Sequence, residues 1–201
     1  MVGGAVGVVW VGSRALAPPE PTLVGSEQDA LRAQQTLFEI VRRGASRRPP
    51  AQRTRRDYAL SEAELNAFLS RHLGRVAGLT LSELAIRLVG DGIVELRGRL
   101  DLNEVAGEGG SGLLEYVPES WQRAGIILTL RGPLRLETET ARGQAKTLRL
   151  NIDEAYLGRL RVPVFAVDRF GAAERLRRWS VPDSVSAVVV EKGRVVVQTD
   201  S

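Results

Sequence analysis

The chain has no cysteine, one histidine and two lysines among 201 residues. Without cysteine there is no disulfide staple, thiolate metal site or cysteine nucleophile, and a lone His72 excludes any intrachain site that needs two imidazoles. Aromatic side chains are scarce, with three Trp, three Tyr and four Phe, so little material is available for stacking a planar ligand. Long hydrophobic runs are missing too. The first twelve residues, MVGGAVGVVWVG, are uncharged, but as a helix they reach about 18 Å against a hydrocarbon core of about 30 Å.

Charge is present and unevenly placed. The net charge is +4, yet residues 42–56, RRGASRRPPAQRTRR, hold seven arginines and no acid. Outside that arm 21 basic face 24 acidic residues, so the body of the chain is mildly acidic. The arm reads as a solvated linker or as a segment attracted to an anionic membrane surface. Nucleic acid is disfavoured because no aromatic residue is interleaved for base stacking.

Three readings of the apolar start remain open: a signal-peptide core, the end of a longer anchor, or a buried segment. Export or membrane tethering, on the extracytoplasmic side of a bacterial envelope, is the expectation they favour. Pro18-Pro19-Glu20-Pro21 then acts as an extended spacer. A helix follows, with Ser26 as cap, Asp29 near its positive end, Arg42 and Arg43 near its negative end and Gly44 as a left-handed stop. Ala30, Leu31, Leu37, Phe38 and Val41 fall on one face and need a protein or lipid surface.

The body begins near residue 58. Ser61 and Glu64 have capping-box spacing, Leu60 and Leu65 that of a hydrophobic staple, so a helix is predicted over 62–73 with Leu65, Phe68, Leu69 and Leu73 as its apolar stripe and His72 within it. That histidine reads as a polar handle at a cavity mouth or as a partly buried ring bonded to a carbonyl. From residue 78 the period becomes two. Leu84, Ile86 and Leu88 lead into Gly90-Asp91-Gly92, and Val94, Leu96, Gly98, Leu100 and Leu102 return. Ile126, Leu128, Leu130, Leu134 and Leu136 repeat the device, as do Leu148, Leu150 and Ile152 after a turn near 141–143, with Pro133 expected at an edge or bulge. Residues 163–179 read as a helix placing Phe165, Ala172, Leu176 and Trp179 on one face, and a valine-rich hairpin about Lys192-Gly193 closes the chain. The contiguous valines imply either that both faces of the hairpin are covered or that one meets a partner.

Recognisable catalytic chemistry does not emerge. Gly107 to Gly112 fits G-x-G-x-x-G literally, but the next strands form hairpins rather than the βαβ unit that gives the motif its phosphate site. Ser111 stands in no nucleophile elbow, and nothing assembles it with His72. Glu137 and Glu139 share a strand face with Arg131 and Arg135, which reads as a solvated ion-pair surface. Neither metal nor cofactor is expected, and the chain reads as a non-enzyme.

The order of parts is more informative. SEAELNAFLSRHL precedes long amphipathic hairpins, followed by VPESW at 117–121, YLGRLRVPV at 156–164 and VVVEKGRVVVQT at the end. Over 58–199 this arrangement resembles the small membrane-anchored or exported bacterial members of the tubular lipid-binding, or TULIP-like, superfamily. The resemblance implies a curved antiparallel sheet wrapped around a helix, either 62–73 or 163–179, with an aliphatic groove for acyl chains. Phe68, Leu69, Leu96, Leu100, Leu128, Leu130, Leu148, Leu150, Ile152 and Phe165 would line it. This chain has material for one such module only, which leaves a shallow groove or a homodimer open.

The expected protein is therefore α+β, a long curved antiparallel sheet of amphipathic strands packed around or against one or two helices. Its parts are an apolar start with spacer (1–25), an amphipathic helix and arginine linker (26–57), and one domain (58–201). Its expected function is noncatalytic binding of a lipid or other amphiphile at the cell envelope, with Arg42 to Arg56 facing anionic headgroups. The alternative is an envelope scaffold or assembly protein with a filled core and an apolar surface for a protein partner.

Overall fold

A computed structural model describes residues 25–45, 54–72, 81–100, 126–139, 145–165 and 177–200. In chain order they form α1 (Glu27–Ala45), β1 (Arg55–Ser61), α2 (Glu62–His72), β2 (Leu81–Gly90), β3 (Ile93–Leu100), β4 (Ile126–Glu139), β5 (Ala145–Leu150), β6 (Glu154–Leu157), β7 (Leu160–Val162), β8 (Arg178–Val181), β9 (Val185–Glu191) and β10 (Arg194–Asp200). Each strand pairing among these residues is antiparallel, so the α+β class expected from the alternating pattern is what folds.

The larger sheet runs β2-β3-β4-β5-β8, with β6 beside β4 and β7 beside β6. Its organising strand is β4, fourteen residues long. One edge of β4 pairs with β3 over 126–133, and the other pairs first with β6 and then with β5. Thus β5 and β6 form one long strand interrupted at 151–153. The interruption is held by backbone hydrogen bonds from Asn151 N–H to Pro133 O (3.0 Å) and from Asp153 N–H to Arg131 O (2.9 Å). Pro133 accordingly sits beside a bulge, where its missing donor breaks no regular ladder. Ile152, expected to prolong the strand, lies in the bulge and packs against the core.

The smaller sheet, β1-β10-β9, contains an element absent from the sequence expectation: β1 draws Arg55 and Arg56 out of the arginine arm into a ladder with β10. The two sheets meet at their hairpin tips. Gly92 N–H donates to Val190 O (3.1 Å) and Gly193 N–H to Leu88 O (2.9 Å). Three successive positive φ angles, at Gly90, Asp91 and Gly92, shape the first tip; glycine tolerates them and Asp is among the few other residues that do.

Both helix starts are reciprocal capping boxes. Ser61 N–H donates to Glu64 Oε2 (2.8 Å) while Glu64 N–H donates to Ser61 Oγ (3.2 Å). Ser26 and Asp29 repeat the arrangement at 2.8 and 3.2 Å. The Ser26 hydroxyl and amide hold the Asp29 carboxyl below its ordinary value, with a smaller contribution from Arg32. A depressed carboxylate pKa stabilises the helix start above the unfolded value and ceases to do so as pH falls through the folded one. Ser26→Ala should move the Asp29 midpoint upward in an NMR carboxyl titration; an unmoved midpoint would refute the assignment.

Three local expectations are corrected. Gly44 is not a left-handed stop, since it lies inside α1 without a positive φ; its bareness admits Pro182, whose Cβ would lie 2.7 Å from an added methyl. The inward face of α1 is Ala30, Ala33, Leu37 and Ile40, whereas Leu31, Phe38 and Val41 point outward. The helix expected over 163–179 does not reach Trp179, which belongs to β8 opposite Leu148. Residues 166–176 lie outside the described set, as do the 107–112 loop, the 117–121 segment and Leu73.

α1 belongs to the same core as the sheets. Ala33 and Leu60 cluster with Leu88, Val94, Leu96, Leu128, Leu130, Leu150, Ala155, Val190 and Val195. In the terminal hairpin one face is buried, whereas Val189 on the other is 42% exposed.

Candidate functional site

Register puts the apolar side chains of the large sheet on one face. Row by row, Ile86 stands beside Leu96 and Leu130, Leu134 beside Leu150, and Leu136 beside Leu148 and Trp179. The bulge at 151–153 divides this face into two unequal parts. Over β2, β3 and the first half of β4 it is filled, and Leu150 at the end of β5 is buried with it: Leu96, Leu128, Leu130 and Leu150 are core residues packed together with α1 and the terminal hairpin. Beyond the bulge Leu134, Leu136, Leu148, Trp179 and Val181 are only half-buried.

The other groove candidates scatter. Phe68 is half-buried against the core and Leu69 is half-buried on α2. Phe165 is 67% exposed, and Leu100 is placed by register opposite Leu81 and Ile126. The ten residues therefore do not form a single lining. Leu148 is the one that joins Leu134, Leu136, Trp179 and Val181 into a coherent row. Trp179 was left out of the expected groove because the helical period was carried as far as residue 179, and Val181, just past that helix, was given no role; the alternation of Arg178, Trp179, Ser180 and Val181 was the available signal.

Polar residues of α2 do something its apolar pattern concealed. The buried positions are Glu62, Asn66 and Ala67. Asn66 Nδ2 donates to Ile86 O (2.8 Å) and its Oδ1 accepts from Ile86 N–H (2.7 Å), while Glu62 Oε2 accepts from Leu88 N–H (2.7 Å). One helix turn thus supplies the partners that a further strand would give to the outer edge of β2. His72 is exposed rather than tucked into the stripe: its Nδ1 lies 3.1 Å from Phe68 O and its ring stacks on Phe68 at 4.4 Å.

The opposite face of the sheet is polar. Arg87, Glu95, Arg131 and Glu154 form a row of alternating sign across four strands. Glu95 grips Arg97 with Nε at 2.6 Å, both side chains nearly buried, and Glu154 lies 3.7 Å from Arg131 and 3.5 Å from Arg161. Glu137 pairs with Arg149 at 3.5 Å, in keeping with an ion-paired surface. Among the described residues no group of His, Asp and Glu could hold a metal ion, and no helix is long and apolar enough to cross a membrane.

These features define a class: an α+β protein whose larger antiparallel sheet, apolar on one face and ion-paired on the other, packs against helices and a second small sheet. No family model matches the chain, and no curated protein or solved structure matches it either.

Proposed function

We propose that this protein binds a lipid or other single-chain amphiphile, without catalysis, at the cell envelope, and that the chain lies along the β4–β5–β8 part of the apolar face. The observation that carries this reading is that Leu136, Leu148 and Trp179, flanked by Leu134 and Val181, stay half-buried although Leu134 and Trp179 pack against the main core and Leu136 and Val181 against Ile40, Tyr58 and Val185. Aliphatic contact suffices for such a ligand: about eight methylenes removed from water contribute roughly 6 kcal/mol at about 0.8 each. The order of elements that resembles TULIP-like proteins supports the same ligand class.

Trp179 provides the test. In full-length protein with Trp10 and Trp121 replaced by Phe, brominated fatty acid should quench Trp179 emission, and Leu148→Asp should abolish quenching while leaving the circular dichroism spectrum unchanged. Unquenched emission, together with native mass spectra showing only ligand-free protein after detergent-free purification, would sink the proposal. The second reading, a scaffold that binds a protein partner, is favoured by the filled half of the face at Leu96, Leu128, Leu130 and Leu150. It expects stable capture of one protein and no quenching.

A further inference from the structure

The polar face of the larger sheet changes character at the bulge. Before it, the row Arg87, Glu95, Arg131 and Glu154 alternates in sign from strand to strand. Beyond it, register sets Arg135 directly opposite Arg149 and Arg149 directly opposite Arg178, so three arginines stand in one row across β4, β5 and β8. Residues opposed in this way share a face with their Cβ atoms about 5 Å apart, and like charges so placed destabilise a sheet. The row calls for negative charge from elsewhere.

The chain itself supplies little of it. Among the described side chains of β4, β5 and β8, Glu137 is the one carboxylate on this face, and it reaches Arg149 Nη1 only at 3.5 Å. Glu139 stands a further row away, opposite Ala145 at the end of β4. Arg149 Nε is buried with no acceptor among the described residues, and a sequestered donor of a charged group left unpaired is costly. Arg135 is exposed, and no described residue pairs with its guanidinium. Beside Arg149 and Arg178 the next row is Thr147 and Ser180, two hydroxyls directly opposite each other.

We infer that this row is a binding site for the phosphate group of a small soluble phosphate ester, with Arg135 and Arg149 as its forks, Arg178 adding positive charge and Thr147 and Ser180 alongside as hydroxyl donors. A guanidinium presents paired N–H groups that match an oxyanion. A tetrahedral phosphate has oxygens enough for two neighbouring forks, whereas a carboxylate has two oxygens and satisfies one. The described part of this face beyond the bulge offers no large apolar side chain for a lipid tail and no aromatic ring for a nucleic-acid base, because Leu136, Leu148 and Trp179 stand on the other face. The site therefore goes beyond the amphiphile reading and does not depend on it.

Titration calorimetry of the full-length protein with glycerol 3-phosphate, in buffer free of phosphate and sulfate, should show saturable binding, and glycerate, a carboxylate of similar size, should bind about tenfold more weakly or less. Arg135→Gln and Arg149→Gln should each weaken binding by about tenfold or more; Arg135 is exposed, so its variant stays informative should the other fail to fold. Glu137→Gln should strengthen binding, since it removes the carboxylate that competes for Arg149, a gain that a merely structural row would not give. Arg161→Gln, which alters a pair with Glu154 before the bulge, should leave binding unchanged. The inference is overturned if glycerol 3-phosphate gives no saturable heat, if glycerate binds as well, or if Arg135→Gln and Glu137→Gln both bind like the wild type. Binding to vesicles that contain phosphatidic acid, with none to the soluble ester, would assign the row to a lipid surface and overturn it equally. The fatty-acid experiment reads Trp179 on the opposite face, so the two proposals fail separately.

Discussion

Replacing Gly132 by alanine should destabilise the protein by about 3 to 5 kcal/mol, well beyond the 1 to 3 kcal/mol of ordinary overpacking. An added Cβ would stand 1.7 Å from Asn151 O, 2.8 Å from its carbonyl carbon and 3.1 Å from Asp153 N. Those atoms are backbone, and they belong to the bulge at which β5 becomes β6. They can retreat only by disturbing the bonds from Asn151 to Pro133 and from Asp153 to Arg131, each worth about 1 kcal/mol. At 2 to 4 °C per kcal/mol for a domain of this size, the melting temperature should fall by roughly 10 °C. Away from such a contact alanine would be the better strand residue by about 0.5 to 1 kcal/mol. Unchanged or raised melting in a calorimetric scan would therefore show that β4 and the bulge do not approach in this way.

Asn66→Ala should cost about 2 to 4 kcal/mol by urea denaturation. The substitution removes partners from both Ile86 N–H and Ile86 C=O, and a sequestered backbone group left unpaired costs about 1 to 3 kcal/mol. It also opens the outer edge of β2 to pairing with other chains, so aggregation should rise at high protein concentration. Asn66→Asp is the discriminating control. It keeps an acceptor for the amide but sets a carboxylate against the Ile86 carbonyl, so it should also destabilise despite its near-identical shape. Wild-type stability in both variants, with undiminished hydrogen-exchange protection at Ile86, would remove the edge-capping role of α2.

Much of the architecture was legible. The capping box at Ser61 and Glu64 announced α2 because its partners lie three residues apart. The period-two pattern announced β3 and β4 because a sheet with one solvated face must alternate. Pro133 signalled irregularity correctly, since a residue without an amide proton cannot donate to a regular ladder. Burial was less legible, because a helical stripe can face either of two neighbours. The apolar arc of α1 is wider than the core it meets, and only packing distinguishes Ala33 and Ile40, which are buried, from Phe38, which is not. The groove candidates were misled in the same way. Alternation put Leu96, Leu130 and Leu148 on one side of a sheet without revealing that α1 and the terminal hairpin cover the first two and leave the third half-buried.

By itself the sequence determined the α+β class, the helix starts, the hairpin turns and the concentration of positive charge in one arm, all of which rest on contacts or periodicities a few residues long. Only the tertiary structure decided that Glu62 and Asn66 close a strand edge, that Gly132 must be bare, that β1 joins β10, and that the apolar face is filled on one side of the bulge and half-covered on the other. Each of these joins segments distant in sequence, and a side chain's local spacing does not specify which distant surface it will meet.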